Sequence, residues 1–254
     1  MPQFLLSPED ISGKTFSLRG PEAFHVTRVL RRREGSTIEL FDGRGGRYTG
    51  VIRAIHPDGS VSGEITGTAH VPQKEYPVTI NLFLSLLKPS HWEWALEKCT
   101  EIGVARFVPV ITPRTVMQMR EAGETKRARW NKIMAAAAKQ SRRGELPQLG
   151  ETVHFRDAIL QASKSGLTLL AWEKHAGATT YAGLREVLRE AKSSHKTGLT
   201  VNLFIGPEGG FSDEEVEIAE YDGASFFSLG PSTLRSETAA VAACSIIFYE
   251  LGAL

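Results

Sequence analysis

One stretch near the C-terminal end constrains the fold most. Residues 200–205, Thr-Val-Asn-Leu-Phe-Ile, form an apolar run of the kind found in a buried strand. The run breaks at Gly206-Pro207 and, after Gly209-Gly210, opens a helix. Ser212 stands where an N-cap belongs, Glu215 completes a capping box, and Phe211 with Val216 can staple the first turn. Two glycines in a strand-to-helix turn let the backbone approach a ligand closely. In open α/β sheets the crevice beyond the carboxyl ends of the strands is where ligands sit.

The charge around that turn narrows the ligand. A phosphate site would want free helix amides and a nearby cation, yet the helix begins Asp213-Glu214-Glu215. Residues 201–254 hold nine acids and one base, Arg235, which disfavours a triphosphate and suits a zwitterionic or cationic nucleoside such as S-adenosylmethionine. Neither GxGxxG nor GxxxxGK[ST] is present, which disfavours a nucleotide-dependent enzyme on a Rossmann-like sheet. A tight turn with no ligand would use the same glycines.

Formal net charge is only +1, but its distribution is uneven. Residues 28–53 carry seven Arg against three acids, and residues 114–143 carry nine Lys or Arg against two, so two basic regions precede the acidic one. Cys99 and Cys244 lie in apolar helical patterns with no metal-ligand spacing, as expected of buried reduced thiols; no metal is expected. The N-terminus lacks a charged leader, and the apolar run 239–249 is too short to span a bilayer. A soluble cytoplasmic protein is expected, with no membrane partner.

Taken in order, residues 1–72 read as a small β-rich unit. Runs at 14–18, 37–41, 47–55 and 60–65 are separated by Asp42-Gly43, Gly45-Gly46 and Pro57-Asp58-Gly59. Pro21 begins a helix with Phe24, Val26, Val29 and Leu30 as its apolar face. Residues 68–76 read as a linker, and 73–254 alternate strand and helix as an α/β domain. Strands are expected at 79–87, 107–111, 167–172, 200–205 and 225–229. Helices are expected from Ser90 with Glu93 completing its box, from Thr125, near 182–191, after Ser212, and over 236–251.

The stretch IGPEGGFS at 205–212, followed by LGPSTLRSETAA at 229–240, resembles the signature of the SPOUT superfamily of knotted methyltransferases. More narrowly it resembles the bacterial 16S rRNA uracil-N3 methyltransferases (RsmE type). His25 with Val29-Leu30-Arg31, the run from Glu97 to Val104, Arg129-Trp130 and Gln140-Ser141-Arg142-Arg143 match in the same order and extend the resemblance over nearly the whole chain.

The resemblance implies an N-terminal PUA-like RNA-binding β-barrel over 1–72. It also implies a C-terminal trefoil-knotted α/β domain with a parallel sheet over 73–254, threaded from about Leu229 onward, and a homodimer. It implies S-adenosylmethionine as cofactor, held by Trp172, Glu173, Ile205, Gly206, Pro207, Glu208, Gly209, Gly210, Leu229, Gly230, Ser232, Thr233, Leu234, Arg235 and Thr238. The partner implied is 16S rRNA in the assembled small ribosomal subunit, with His25, Arg28, Arg31, Arg32, Arg114, Gln140, Arg142 and Arg143 on the RNA side. Arg235, Arg142 and Glu237 are the expected catalytic residues. Arg235 would steady the uracil anion or orient the cofactor, and Arg142 with Arg143 would stabilise a uridinate or grip phosphates. Glu173, Glu208 and Glu237 are candidates for general base or sulfonium partner, with capping and turn roles equally open, and His25 suits packing better than catalysis. A different RNA target (tRNA or a ribose 2′-hydroxyl) and a non-catalytic RNA-binding factor remain open.

Overall fold

The computed structural model describes residues 3–69, 77–115, 123–172, 183–195 and 197–253. Two compact units emerge: Met1–Pro72 with Ala135–Leu146, and Gln73–Met134 with Pro147–Leu254.

The first unit contains β1 (Gln3–Leu5), β2 (Ile11–Ser12), β3 (Thr15–Leu18), α1 (Gly20–Phe24), β4 (Thr37–Phe41), β5 (Arg47–Ile55) and β6 (Val61–Ala69). Its strands form one mixed sheet in the order β1-β4-β5-β6-β3-β2, with β1 parallel to β4 and the rest antiparallel. Bulges between Thr49 and Gly50, and between Ile52 and Ala54, curl the β5–β6 ribbon. Gly50 and Gly63 leave room for the Phe16 ring, which a Cβ at either position would meet. Phe16 packs there with Phe4, Leu18, Ile38, Leu40 and Val61.

After α1 the backbone widens at His25–Val29, where Leu30 N–H bonds back to His25 O at 2.9 Å. The five-residue turn breaks the expected helical face: Val26 is buried, but Phe24 and Val29 are turned to solvent at 61% and 58% exposure.

The second unit begins with β7 (Val78–Ser85), α2 (Pro89–Ile102), β8 (Arg106–Ile111) and α3 (Glu124–Gln140), whose residues from Ala135 onward belong to the first unit. It continues through β9 (Gln148–Leu149), β10 (Val153–His154), α4 (Phe155–Ala162), β11 (Leu167–Ala171) and α5 (Leu184–Ser194). It ends with β12 (Leu199–Ile205), α6 (Asp213–Tyr221), β13 (Ser225–Phe227) and α7 (Ser236–Leu251). Every strand pair is parallel, in the order β10-β8-β7-β12-β11-β13, with β9 beside β8.

Both faces of this sheet are covered, as a parallel sheet requires. On β12, Val201, Leu203 and Ile205 point to the cluster shared with Trp92, Cys99, Cys244, Ile247 and Phe248, whereas Phe204 points to the cluster of Phe155, Ile159, Phe211 and Val216. Phe83 and Phe204 stack with centroids 4.5 Å apart. Burying side chains of this size contributes roughly 1.5–3 kcal/mol each.

The start of α2 differs from the sequence expectation. Pro89 occupies its first turn and Lys88 is the cap residue, with no side-chain cap bond, so Ser90 and Glu93 already lie inside the helix. Proline, whose missing N–H costs nothing there, sets the boundary. The strand expected to run to 87 ends at Ser85, and α3 begins one residue before Thr125. Among the described residues no helix is long and apolar enough to cross a membrane.

Candidate functional site

Three strand ends build the site. Leu170 pairs with Phe204 and Ala171 with Phe227, so β11, β12 and β13 finish at the same edge of the sheet and their following turns converge there. These turns enclose a cavity of about 290 Å³. Ala171 and Trp172 line it from the first. Ile205, Gly206, Pro207, Glu208, Gly210 and Phe211 line it from the second, and the segment Ser228 through Ser236 with Ala239 from the third.

The second turn is fixed at both ends. Ser212 Oγ accepts the Glu215 N–H at 3.1 Å and Glu215 Oε2 accepts the Ser212 N–H at 2.8 Å, the reciprocal capping box expected from the sequence. Phe211 and Val216 share one buried cluster, as the staple requires. Burial raises the Glu215 carboxyl above its ordinary range, against the lowering effect of its bonds to Ser212 and of the Arg114 charge. A Cβ at Gly206 would come within 3.2 Å of the Phe211 ring, so only glycine lets this turn close over the ring without a shift.

The third turn is held more loosely. Ser228 Oγ bridges to Gly230, accepting its N–H at 3.3 Å and donating to its carbonyl at 3.0 Å, while Gly230 takes φ +118°. Trp172 N–H donates to Phe227 O at 2.9 Å, and its ring meets Phe226 edge-on. Arg235 stands at the cap position of α7, where its carbonyl accepts the Ala239 N–H at 2.8 Å, while its exposed side chain makes no hydrogen bond or ion pair among the described residues.

The cavity gathers twelve of the residues expected at the cofactor: Trp172, Ile205, Gly206, Pro207, Glu208, Gly210, Leu229, Gly230, Ser232, Thr233, Leu234 and Arg235. Gly209 and Thr238 are not among its lining residues, and Glu173 lies outside the described residues. Glu237 is buried in the first turn of α7 and does not line the cavity; its Oε2 lies 3.8 Å from His91 Nδ1, which is equally far from Glu208 Oε1. Residues 74–248, which include the whole cavity lining, match the RNA methyltransferase domain family. The chain belongs to that family.

This RNA methyltransferase also matches an RNA methyltransferase PUA domain over residues 18–66. It is 30% identical to the ribosomal RNA small subunit methyltransferase E of Bacillus subtilis over 93% of this chain and 90% of the relative. It is 29% identical to the protein so named in Synechocystis over 96% of this chain and 76% of that one. Among solved structures, the ribosomal RNA small subunit methyltransferase E of Neisseria gonorrhoeae bound to S-adenosyl methionine superposes with a TM-score of 0.81. It is 29% identical and covers 98% of this chain and 97% of its own.

The remaining expected residues of this RNA methyltransferase, Arg114 apart, lie in the first unit. His25 packs edge-on against Phe4 at 5.6 Å. Arg28 and Arg31 are exposed and Arg32 is half-buried; Arg31 takes the left-handed backbone at φ +50°. Gln140 and Arg142 are exposed and Arg143 is half-buried. Arg142 also takes a left-handed backbone, at φ +56°, and its carbonyl accepts a bond from Arg47 Nη2 at 2.6 Å. Arg114, expected on the RNA side, lines the cavity and donates from Nη1 to Gly209 O at 3.2 Å and Phe211 O at 3.0 Å.

Sequence reasoning missed the cavity roles of Arg114, Ala171, Ser228, Pro231, Ser236 and Ala239, and the placement of His91 between two carboxylates. Ser228, Pro231, Ser236 and Ala239 sit inside or beside a motif already singled out, so their neighbours were signal enough. Nothing local marks Arg114 or His91, because each reaches the glycine turn from an element distant in sequence.

Proposed function

We propose that this chain uses S-adenosylmethionine to methylate N3 of a uridine in 16S rRNA, acting on the assembled small subunit. The observation that carries the proposal is the convergence of the glycine turn and the Arg235 turn on one cavity at the carboxyl edge of a parallel sheet. The cavity fits the donor in chemistry. Trp172, Ile205, Leu229, Leu234 and Ala239 offer apolar walls for an adenosine, and the backbone of residues 228–235 offers polar edges. Glu208, Arg114 and Arg235 are its charged linings, a mixed set suited to a zwitterion.

When bound, the donor supplies a methyl group on a cationic sulfur. The protein's own tasks are to hold the base, exclude water and stabilise the uracil imide as an anion. Arg235, whose exposed side chain makes no hydrogen bond or ion pair among the described residues, is assigned that stabilising role. Glu237, in the first turn of α7, carries its charge at the positive end of that helix. Arg28, Arg31, Arg32, Gln140, Arg142 and Arg143, together with His25, are assigned to RNA, where cations on phosphates make binding salt-dependent.

The domain division at 72/73, the threading from Leu229 onward and a cytoplasmic location belong to the same proposal. So does a homodimer. On α7 Ile246 and Tyr249 are 40% and 74% exposed, an apolar surface that a second copy would cover. Light scattering after gel filtration tests the dimer, and a crystal of the donor complex tests threading and pocket together.

The deciding experiment compares modified nucleosides of small-subunit rRNA with and without the gene by mass spectrometry. Loss of one N3-methyluridine, restored by the wild-type chain and not by a folded Arg235→Ala variant, is expected. Unchanged methylation, or full restoration by Arg235→Ala, would remove the substrate or the Arg235 assignment respectively.

A further inference from the structure

Arg114 connects the exit of β8 to the glycine turn of β12, although β7 separates those two strands in the sheet. A local turn aims it. Thr115 N–H bonds to Thr112 O at 3.1 Å, Thr112 N–H bonds to Thr115 Oγ1 at 3.2 Å, and the two hydroxyls lie 2.8 Å apart. Thr112 is itself buried, so the turn is anchored in the body of the unit. From it one guanidinium nitrogen takes the carbonyls of both Gly209 and Phe211. Between them Gly210 adopts φ +67° and returns its N–H to Pro207 O at 2.9 Å. A Cβ at Gly209 would come within 3.3 Å of Arg114 Cβ, so loop and arginine are also in packing contact.

The setting favours a cation. The loop contributes Glu208, and the helix that follows opens with Asp213, Glu214 and the buried Glu215. Carbonyl oxygens at the N-terminal side of such a helix have few donors other than water, and Arg114 supplies one that is charged and pre-aimed.

We infer that Arg114 is a positioning residue for the methyl donor: by gripping the carbonyls of Gly209 and Phe211 it sets the glycine turn in the shape that lines the cavity. The inference rests on the proposal that this cavity takes S-adenosylmethionine. It assigns Arg114 to the donor rather than to RNA.

The test uses the full-length protein and its Arg114→Ala and Arg114→Lys variants. Amide hydrogen exchange over residues 206–212 is read without donor, affinity for S-adenosylmethionine by calorimetry, and RNA affinity by filter binding. In Arg114→Ala the loop amides are expected to exchange faster while the core strands keep their protection. Donor Kd and donor KM should rise about tenfold, equivalent to about 1.4 kcal/mol. Turnover at saturating donor and RNA affinity should stay within about twofold. Arg114→Lys, which keeps the charge and loses the planar guanidinium, should fall between; if Arg114→Ala does not fold, it supplies the same readouts. Unchanged loop exchange with unchanged donor affinity overturns the inference, as does lost RNA affinity with donor binding intact. A wild-type protein that takes no donor overturns the cavity assignment and the donor role with it, while the donor-free exchange still reports whether Arg114 braces the turn.

Discussion

Replacing Ser212 by Ala should remove one half of the lock that joins the glycine turn to α6. The Ser212 hydroxyl accepts the Glu215 N–H at 3.1 Å; the reciprocal bond, from Ser212 N–H to Glu215 Oε2 at 2.8 Å, uses only backbone on the serine side and survives. Loss of an N-cap costs about 1 kcal/mol on average, with a range of roughly 0.5–2. This cap belongs in the upper half of that range, because Glu215 is only 4% exposed and water reaches its freed N–H poorly. About 1.5 kcal/mol is expected, which for a unit of this size lowers the melting temperature by roughly 3–6 °C. Ser212→Thr, which keeps the acceptor, should recover most of the loss. Thermal unfolding by circular dichroism and urea titration measure both. A Ser212→Ala protein melting within about 1 °C of wild type, or a threonine variant falling as far as alanine, would refute the assignment of stability to this cap.

Three further outcomes follow from the same geometry. Glu215 has a folded-state carboxyl raised by burial, so its favourable contribution is complete below the unfolded value and is lost as pH rises through the folded one. Glu215→Gln keeps the box without the charge and should therefore gain stability relative to wild type between about pH 4 and 7; urea titrations showing a flat or opposite trend would contradict this. Asn202 is fully buried, donates to Ala162 O at 2.9 Å and Ser165 Oγ at 3.2 Å, and accepts from Asn81 Nδ2 at 2.9 Å. Asn202→Ala strands several of those groups and should cost about 2–4 kcal/mol by chemical denaturation, a loss under about 1 kcal/mol counting against it. Cys99 and Cys244 are buried, and the neighbouring Cys244 thiol and burial push the Cys99 thiol up, so thiol reagents at pH 8 should label neither until the chain unfolds. Rapid alkylation of the native protein would show the opposite.

What the sequence made legible was local chemistry. Ser212, Glu215, Phe211 and Val216 lie within five residues of one another, and the bonds they form depend on little else. The converging turns were found through a resemblance and then through geometry, because nothing in residues 167–172 and 225–229 announces that their strands finish level with β12. Local signals also competed. Ser90 looked like a cap, but Pro89 had already started α2. Phe24 and Val29 carried a helical period that the widened turn at His25–Val29 then broke. The short α4 was missed although Phe155, Ala158, Ile159 and Ala162 keep an i, i+3, i+4, i+7 spacing, since eight residues are too few for periodicity to stand out. Arg114 could not have been assigned, because its partners Gly209 and Phe211 lie 95 and 97 residues away.

The pairing of β7 with β12 has a consequence for how the molecule comes into being. Neighbours such as Asn81 and Asn202, adjacent in the sheet, are 121 positions apart, so the central seam cannot close until most of the polypeptide has left the ribosome. Until then β7 presents an unpaired apolar edge, the kind of surface that chaperones cover and aggregates exploit. Long-range parallel pairing of this sort is slow to form. Activity should therefore lag behind synthesis and be lost altogether from chains that stop short of residue 205, however well their N-terminal portion folds.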